Sequence, residues 1–261
     1  MGESEVIMRI IKEEILRILE ESADFIRKSR IQSVQEKGKS NYVTDLDTTI
    51  ELRIMRELRF LYPDIPFVSE ESASKINYDT FWVLDPIDGT TNLMHNFQNS
   101  CISLALVKEK EVQFGYVYSI FSGEVYYAEK GEGAYVRKNG EEHPIKVSER
   151  DSVSHAMIGF GCPYDKAKIP FLFSTLEKLI AECDDLKRVG PASLDLCRVA
   201  SGQLDAYLEL DLEYWDYAAG GLILTEAGGT LSNWNGEKEK GKSHILASNG
   251  YIHRKILEKI S

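Results

Sequence analysis

Cysteine is scarce in this chain and follows no pattern. The 261 residues hold four, Cys101, Cys162, Cys183 and Cys197, and no two share a CxxC spacing. That excludes a zinc ribbon and a thioredoxin-type motif. Scattered thiols of this kind are expected to be reduced and mostly buried, in a cytoplasmic protein. Long hydrophobic runs are also missing. None approaches the roughly 18 residues that span a membrane. The first residues mix Arg9, Lys12, Glu13 and Glu14 with apolar ones and offer no small-residue cleavage site, so they do not read as a signal peptide. No GxxxxGK[ST] occurs, which excludes a P-loop, and Gly131-Glu132-Gly133 reads as a hairpin mark. His95, His143, His155, His244 and His253 share no metal-ligand spacing and are expected as ordinary surface or loop residues. Positive charge is in deficit. Against 42 Asp and Glu stand 31 Lys and Arg, for a formal net charge of -11. Such a chain repels a phosphate backbone, so nucleic acid is not expected as a partner.

What is present is a globular composition. Hydrophobic residues make up 43% and charged residues 28%, which excludes disorder and fibrous repeats. A core of this size buries roughly 70–75% of the unfolded surface and needs no disulfide or metal staple. Ile7, Ile11, Ile15, Ile18, Leu19 and Ile26 recur at helical spacing and predict an amphipathic helix from about Glu5 to Arg30. Ser33 to Asn41 is polar and reads as a loop. A second helix is expected from about Thr48 to Leu61, with Thr44 or Asp45 as its cap and Pro63 as its stop. Short strands are expected at Pro66–Ser69 and Phe81–Leu84. A meander follows through Ile102–Val107, Glu111–Ser119, Glu124–Glu129 and a hairpin at Ala134–Arg137.

Beyond Ser148 the pattern alternates. Strands are expected near Ala156–Gly159, Lys187–Val189, Ala206–Leu210, Thr230–Leu231 and His244–Ala247. Helices are expected near Phe171–Glu182, Ser193–Ser201, Asp216–Ala227 and Ile252–Lys259. Tyr126, Tyr127 and Trp234 read as packing or surface residues instead of base-stacking platforms. The whole predicts a mixed α/β sandwich. Residues 1–261 are read as one domain, with a seam near Ser148–Ser154 that divides possible subdomains 1–150 and 151–261.

The most informative segment is WVLDPIDGTTN, Trp82 to Asn92. An apolar strand delivers Asp85 to its end, Pro86 forces a turn, and Asp88 falls on the same side of it. Gly89 permits close backbone approach, and Thr90-Thr91-Asn92 look like the first turn of a helix, whose free N–H groups attract an anion. Two carboxylates beside an anion site repel each other and the anion, and bound divalent cations would resolve the conflict. Other acids offer to complete the site: Asp45 and Asp47 in TDLD, Glu70 and Glu71 in SEES, and Asp216 in WDYAAGG. Taken alone, Asp216 reads equally well as a helix cap and Glu71 as a solvated surface acid. An oxygen-only donor set without His or Cys points to Mg²⁺ rather than zinc.

Three motifs together, EES at Glu70–Ser72, DPIDGTTN at Asp85–Asn92 and WDYAAGGLILTEAGG at Trp215–Gly229, resemble the inositol monophosphatase family of Mg²⁺-dependent, Li⁺-sensitive sugar phosphatases. The resemblance covers nearly the whole chain. It implies a layered αβαβα sandwich of the fructose-1,6-bisphosphatase/inositol monophosphatase type and a homodimer. It implies a first metal held by Glu70, Asp85 and the Ile87 carbonyl, and a second held by Asp85, Asp88 and Asp216. A third, weaker ion shares Glu70 through water, which makes two to three Mg²⁺ ions per site. Gly89 and Thr90 match the phosphate-binding backbone, and Asp47 and Thr90 the dyad that orients the attacking water. Ala192 in VGPAS and Glu209 in DAYLEL match positions beside the sugar ring. The implied partner is a small-molecule phosphate ester, with no nucleic acid and no membrane.

Pro191 and the GFGCP loop at Gly159–Pro163 depart from residues that relatives use on inositol. Another polyol or sugar phosphate, fructose 1,6-bisphosphate, 3′-phosphoadenosine 5′-phosphate or NADP therefore stays in view as substrate. Two competing readings are weaker. DLDTT at Asp45–Thr49 resembles the phospho-aspartate motif of haloacid-dehalogenase-type phosphatases, but Lys39 to Thr44 supplies no apolar strand before it. A non-catalytic binder of phosphorylated metabolites is expected to have lost one of the acids, and all are present.

Overall fold

The computed structural model describes residues 3–38, 41–72, 78–239 and 241–260, with side chains from residue 12 onward. Its elements run α1 (Glu3–Lys28), β1 (Val34–Gly38), β2 (Asn41–Thr44), α2 (Asp45–Leu61), β3 (Phe67–Ser69), β4 (Thr80–Asp88) and α3 (Thr90–Met94). The meander is β5 (Cys101–Lys108), β6 (Glu111–Ser119), β7 (Val125–Glu129), β8 (Ala134–Lys138) and β9 (Glu141–Pro144). Next come β10 (Met157–Phe160), α4 (Ile169–Ile180), β11 (Asp185–Lys187), α5 (Ala192–Ala200), β12 (Ala206–Leu212), α6 (Tyr214–Glu226), β13 (Thr230–Asn233), β14 (Ser243–Ser248) and α7 (His253–Ile260).

Two sheets organise the molecule. One has the order β3-β4-β5-β6-β7-β8-β9, the other β11-β10-β12-β14-β13. Strand alternation sorts their side chains into three cores. Trp82, Leu84, Ile102, Leu104 and Tyr116 leave one face of the first sheet and meet Ile15, Ile18, Leu19, Ile50, Ile54 and Leu58 of α1 and α2. From its other face, Phe81, Val83, Ala105 and Val117 pack with α5 and α6. Those two helices also cover Tyr207, Ile245 and Ala247 of the second sheet. Beyond that sheet, Ile158, Leu208 and Leu246 meet α4 and α7. The layers are therefore α1/α2, sheet, α5/α6, sheet, α4/α7, the αβαβα sandwich that the resemblance implied.

The middle layer explains a sequence feature. Helix α6 is buried from Tyr217 to Leu224, so it is apolar all round instead of amphipathic. Its small residues let two partners approach closely. A methyl on Gly220 would stand 2.8 Å from Leu196 Cβ, and one on Gly115 of β6 would stand 2.7 Å from the Ala219 carbonyl. The segment AAGG is thus a packing requirement of a helix between two sheets.

Several expectations are corrected. Ser33–Asn41, read as a loop, instead contributes to the antiparallel pair β1–β2, with Val34 opposite Thr44; Lys39 and Ser40 lie outside the described residues. Polar, exposed strands carry no hydrophobic alternation, so their pairing was invisible in the sequence. Helix α2 starts at Asp45, three residues before the expected Thr48, because Thr44 serves as N-cap and Asp47 at N3 accepts its backbone N–H at 2.8 Å. Strand β11 lies two residues before its expected place. Ile7 and Ile11 lie on α1, where side chains are outside the described part. Cys101 and Cys197 are buried, Cys162 and Cys183 half-buried, and all four are free thiols. Tyr126, Tyr127 and Trp234 are buried, which decides for packing over surface.

His253 is the histidine that departs from expectation. It is buried on α7, with Nε2 2.9 Å from Ser232 Oγ of β13 and Nδ1 2.8 Å from Ser248 Oγ of β14. The imidazole ties the last helix to two strands, and burial lowers its pKa below the usual 6.5. A histidine depressed in the fold lends stability above its unfolded pKa and loses it as pH falls from there through the folded value. His253→Ala is expected to cost about 1–3 kcal/mol in urea unfolding near pH 7.5. The cost should shrink near pH 5, where the wild-type ring must take up a proton.

Candidate active site

One cavity of about 510 Å³ opens between the two sheets. Glu70, Asp85, Ile87, Asp88, Gly89, Thr90, Ala192, Glu209 and Asp216 all line it. Of the acids singled out in the sequence, three do not: Asp47 is fully buried behind Thr90, Asp45 accepts the Gln32 and Ser33 N–H groups, and Glu71 pairs with Lys37. Four distant segments therefore converge.

Strand β4 is apolar on both faces until Asp85. Its pairing with β5 then slips between Asp85 and Asp88, and this bulge at Pro86-Ile87 turns Asp88 toward the cavity. Asp85 Oδ1 accepts the Ile87 N–H at 3.0 Å. Gly89 sits at φ +92° as the N-cap of α3. A methyl there would crowd the Asn99 carbonyl at 3.2 Å and Pro191 Cβ at 3.3 Å, so glycine is required for both conformation and space. The Thr90 hydroxyl lies 2.8 Å from Asp47 Oδ1 and 3.1 Å from the Ile87 carbonyl. Thr44 donates its backbone N–H and its hydroxyl to the other Asp47 oxygen.

From the second half, α5 and α6 bring their N-termini to the same place. The Ser193 N–H donates to Asp88 Oδ2 at 2.8 Å, and the Ser193 hydroxyl to the Asp216 carbonyl at 2.9 Å. Asp216 Oδ2 accepts the Glu213 N–H at 2.7 Å, a capping role, while the residue also lines the cavity. The sequence offered Asp216 as cap or site residue; the N-cap is Glu213, and Asp216 supports it from the N3 position while also facing the cavity.

The electrostatics are unfavourable as they stand. Burial raises Asp85 and Asp216 well above the ordinary carboxylate range, and the neighbouring acids push them further. Asp88 is raised to about 6, chiefly by burial. Glu70 rises to about 7 by burial, against the pull of Lys37. Among the described residues no Lys, Arg or His pairs with Asp85, Asp88 or Asp216.

This donor set fits a hard divalent cation. It is all oxygen, buried at Asp85 and half-buried at Glu70, Asp88 and Asp216, and uncompensated apart from Lys37 on Glu70. No three of the described His, Cys, Asp or Glu side chains already close into a metal-holding cluster. One oxygen each of Asp85, Asp88 and Asp216 is committed to a backbone N–H, which leaves the other available to a ligand.

Several neighbours escaped the sequence reading. Lys37 of β1 reaches Glu70 at 3.2 Å and Glu71 at 2.6 Å. Glu71, expected as a solvated surface acid, has a side chain only 10% exposed. Glu51 of α2 is buried and accepts the Ser69 and Ser72 hydroxyls, which props up the strand end that carries Glu70. Asp195 and Arg198 on α5 grip Gly190, and Arg198 also donates to Asn99 Oδ1 at 3.0 Å. Asn99 in turn donates to the Val189 carbonyl at 3.0 Å. This network clamps the Gly190-Pro191 turn against the segment that carries Gly89. Only the Asp195/Arg198 spacing, one helical turn, was visible in the sequence.

Residues 4–261 match the sequence model of the inositol monophosphatase family. The chain belongs to the inositol monophosphatase family. It is 34% identical over 244 residues to the fructose-1,6-bisphosphatase/inositol-1-monophosphatase of Aquifex aeolicus, across 93% of this chain and 89% of that one. It is also 34% identical over 228 residues to a protein of Pasteurella multocida named Nus factor SuhB, across 86% of this chain and 84% of that one. The fold matches the crystal structure of extragenic suppressor protein suhB from Bartonella henselae with a TM-score of 0.89 and 28% identity. That match covers 97% of this chain and 98% of the other. Membership of the inositol monophosphatase family places the chain in a phosphatase superfamily. No described helix is long and apolar enough to cross a membrane.

Proposed function

We propose that the chain is a Mg²⁺-dependent phosphomonoesterase that hydrolyses inositol monophosphate or a related polyol or sugar phosphate. The observation that carries this reading is the group of buried and half-buried carboxylates facing the Gly89–Thr90 turn. A cavity that negative accepts a phosphate ester when cations reverse the local field.

The proposed ligands are Glu70, Asp85 and the Ile87 carbonyl for one ion, and Asp85, Asp88 and Asp216 for a second. Glu70 also serves a third, weaker ion through water. When bound, the cations supply charge neutralisation for the phosphate and acidify the attacking water. The Thr90 hydroxyl orients that water and passes its proton toward Asp47, which is 2.8 Å away. Burial raises Asp47 above its usual carboxylate pKa, which makes it a better proton acceptor than an exposed aspartate. The backbone N–H groups of Gly89 and Thr90 hold the phosphate, and Ala192 and Glu209 face the leaving group.

We read the chain as one domain, residues 1–261, with halves that meet in the α5/α6 layer, and as a cytoplasmic homodimer that takes small phosphate esters. A second reading has one observation in its favour, the relative named a Nus factor. It makes this chain a participant in an assembly, with catalysis secondary.

The deciding experiment is phosphate release from inositol 1-phosphate, fructose 1,6-bisphosphate, 3′-phosphoadenosine 5′-phosphate and NADP. The expected outcome is Mg²⁺-dependent turnover with the highest kcat/KM on a polyol or sugar ester, abolished by chelator and inhibited by submillimolar to millimolar Li⁺. Silence on every ester favours the second reading.

A further inference from the structure

The acceptor that faces the cavity from β12 is held in place by Tyr207 beside it and by the glycines of β10 and the loop after it. Tyr207 and Glu209 lie two apart on β12, so both side chains leave the same face of the sheet. Alongside runs β10 in parallel register, with Gly159 beside Tyr207. A methyl on Gly159 would stand 2.8 Å from Leu204 Cδ1 and 3.2 Å from the Tyr207 ring. One on Gly161 would stand 2.0 Å from the Glu209 carboxyl carbon and 2.3 Å from Oε1. These two glycines therefore leave the slot that the tyrosine ring and the carboxylate fill.

Tyr207 is fully buried, and its hydroxyl donates to Glu209 Oε2. Among the described residues no donor reaches Oε1, and Glu209 lines the cavity. A carboxylate with one oxygen fixed and the other open toward a cavity is a directed acceptor for a ligand hydroxyl. Burial raises Glu209 to about 7, and the Tyr207 hydroxyl pulls the other way, favouring the acceptor form.

We propose that Tyr207 and Gly161 are positioning residues. They fix Glu209 as a hydroxyl acceptor and so set the preference of this cavity for a leaving group that carries free hydroxyls. The inference rests on the phosphomonoesterase reading and concerns its selectivity. A half-buried side chain pinned by its neighbours discriminates, because an ester without the matching hydroxyl leaves the carboxylate partly desolvated and its open oxygen unpaired.

Tyr207→Phe deletes one hydroxyl and keeps the ring, and Gly161→Ala drives the Glu209 carboxylate from its slot. Both are compared with wild type on inositol 1-phosphate, rich in hydroxyls, and on p-nitrophenyl phosphate, which has none, at saturating Mg²⁺. The expected result for Tyr207→Phe is a tenfold or greater fall in kcat/KM on inositol 1-phosphate, mainly through KM, with less than a twofold change on the aryl ester. Gly161→Ala should move the same way and further. An equal fall on both esters in both variants means general damage and overturns the proposal, as does an unchanged KM for inositol 1-phosphate. Wild-type protein that takes only the aryl ester overturns the proposal alone. Protein that takes neither ester overturns the phosphatase reading, and this inference with it.

Discussion

Asp88→Asn is expected to lower Mg²⁺-dependent turnover by at least about a thousandfold, the scale of a lost metal contact worth several kcal/mol in the transition state. Stability should not fall with it. Asp88 is not core packing: it receives the Ser193 N–H at 2.8 Å, and the amide oxygen of asparagine accepts the same bond. The substitution also removes one charge from a buried group of like charges. The melting temperature in chelator should therefore be equal to or above that of the wild type. The increase in melting temperature on adding Mg²⁺, which reports binding to the folded state, should largely disappear. Both are read by differential scanning calorimetry beside a phosphate-release assay. A variant that keeps more than a tenth of wild-type activity, or the full Mg²⁺ shift, removes Asp88 from the site.

The second large effect is on the pH dependence of the metal-free protein. Glu70 is raised to about 7 and Asp88 to about 6, with Asp85 and Asp216 raised well above their usual values. A carboxyl whose pKa is higher folded than unfolded binds its proton more tightly in the native state. Between those two values the unfolded chain therefore carries fewer protons, and stability falls as pH rises. The window opens near pH 4, at ordinary carboxyl values, and runs through about 7. In chelator the protein should be more stable near pH 5 than near pH 8, by a few kcal/mol in urea unfolding. Ordinary acid unfolding of paired carboxylates has the opposite slope. Saturating Mg²⁺ should flatten or reverse the difference, because cation binding is strongest where the ligands are ionised. A metal-free profile that rises from pH 5 to 8 contradicts a cluster of uncompensated buried acids.

Local chemistry was legible where one element sufficed. The helix α1, the apolar strand that delivers Asp85 and the start of α3 at Thr90 each follow from a few adjacent residues, and the structure has them within a few positions; at Pro86, where a turn was expected, the strand instead bulges and runs on to Asp88. The hairpin β1–β2 was not legible, because exposed polar strands show no alternation. Its Lys37 is the cation that reaches Glu70 and Glu71. Nor was Glu51 legible: on a helix surface pattern it reads as one more acid, whereas the fold buries it beneath Ser69 and Ser72.

Residue types are concentrated along the chain in places that can be read without a fold: carboxylates at strand and helix ends, glycines at turns, small residues in α6. Adjacent residues dictate turns and caps through backbone sterics and short hydrogen bonds, and those survive any tertiary arrangement. It takes the packed fold to bring Glu70, Asp85, Asp88 and Asp216 to one cavity and to leave their charges largely unpaired. That fold also decided that His253 is a buried tether and that Gly161 exists to admit a carboxylate. Burial and charge proximity depend on segments more than a hundred residues apart. The free energy of an ionised group is set by what surrounds it, not by what precedes it in the chain.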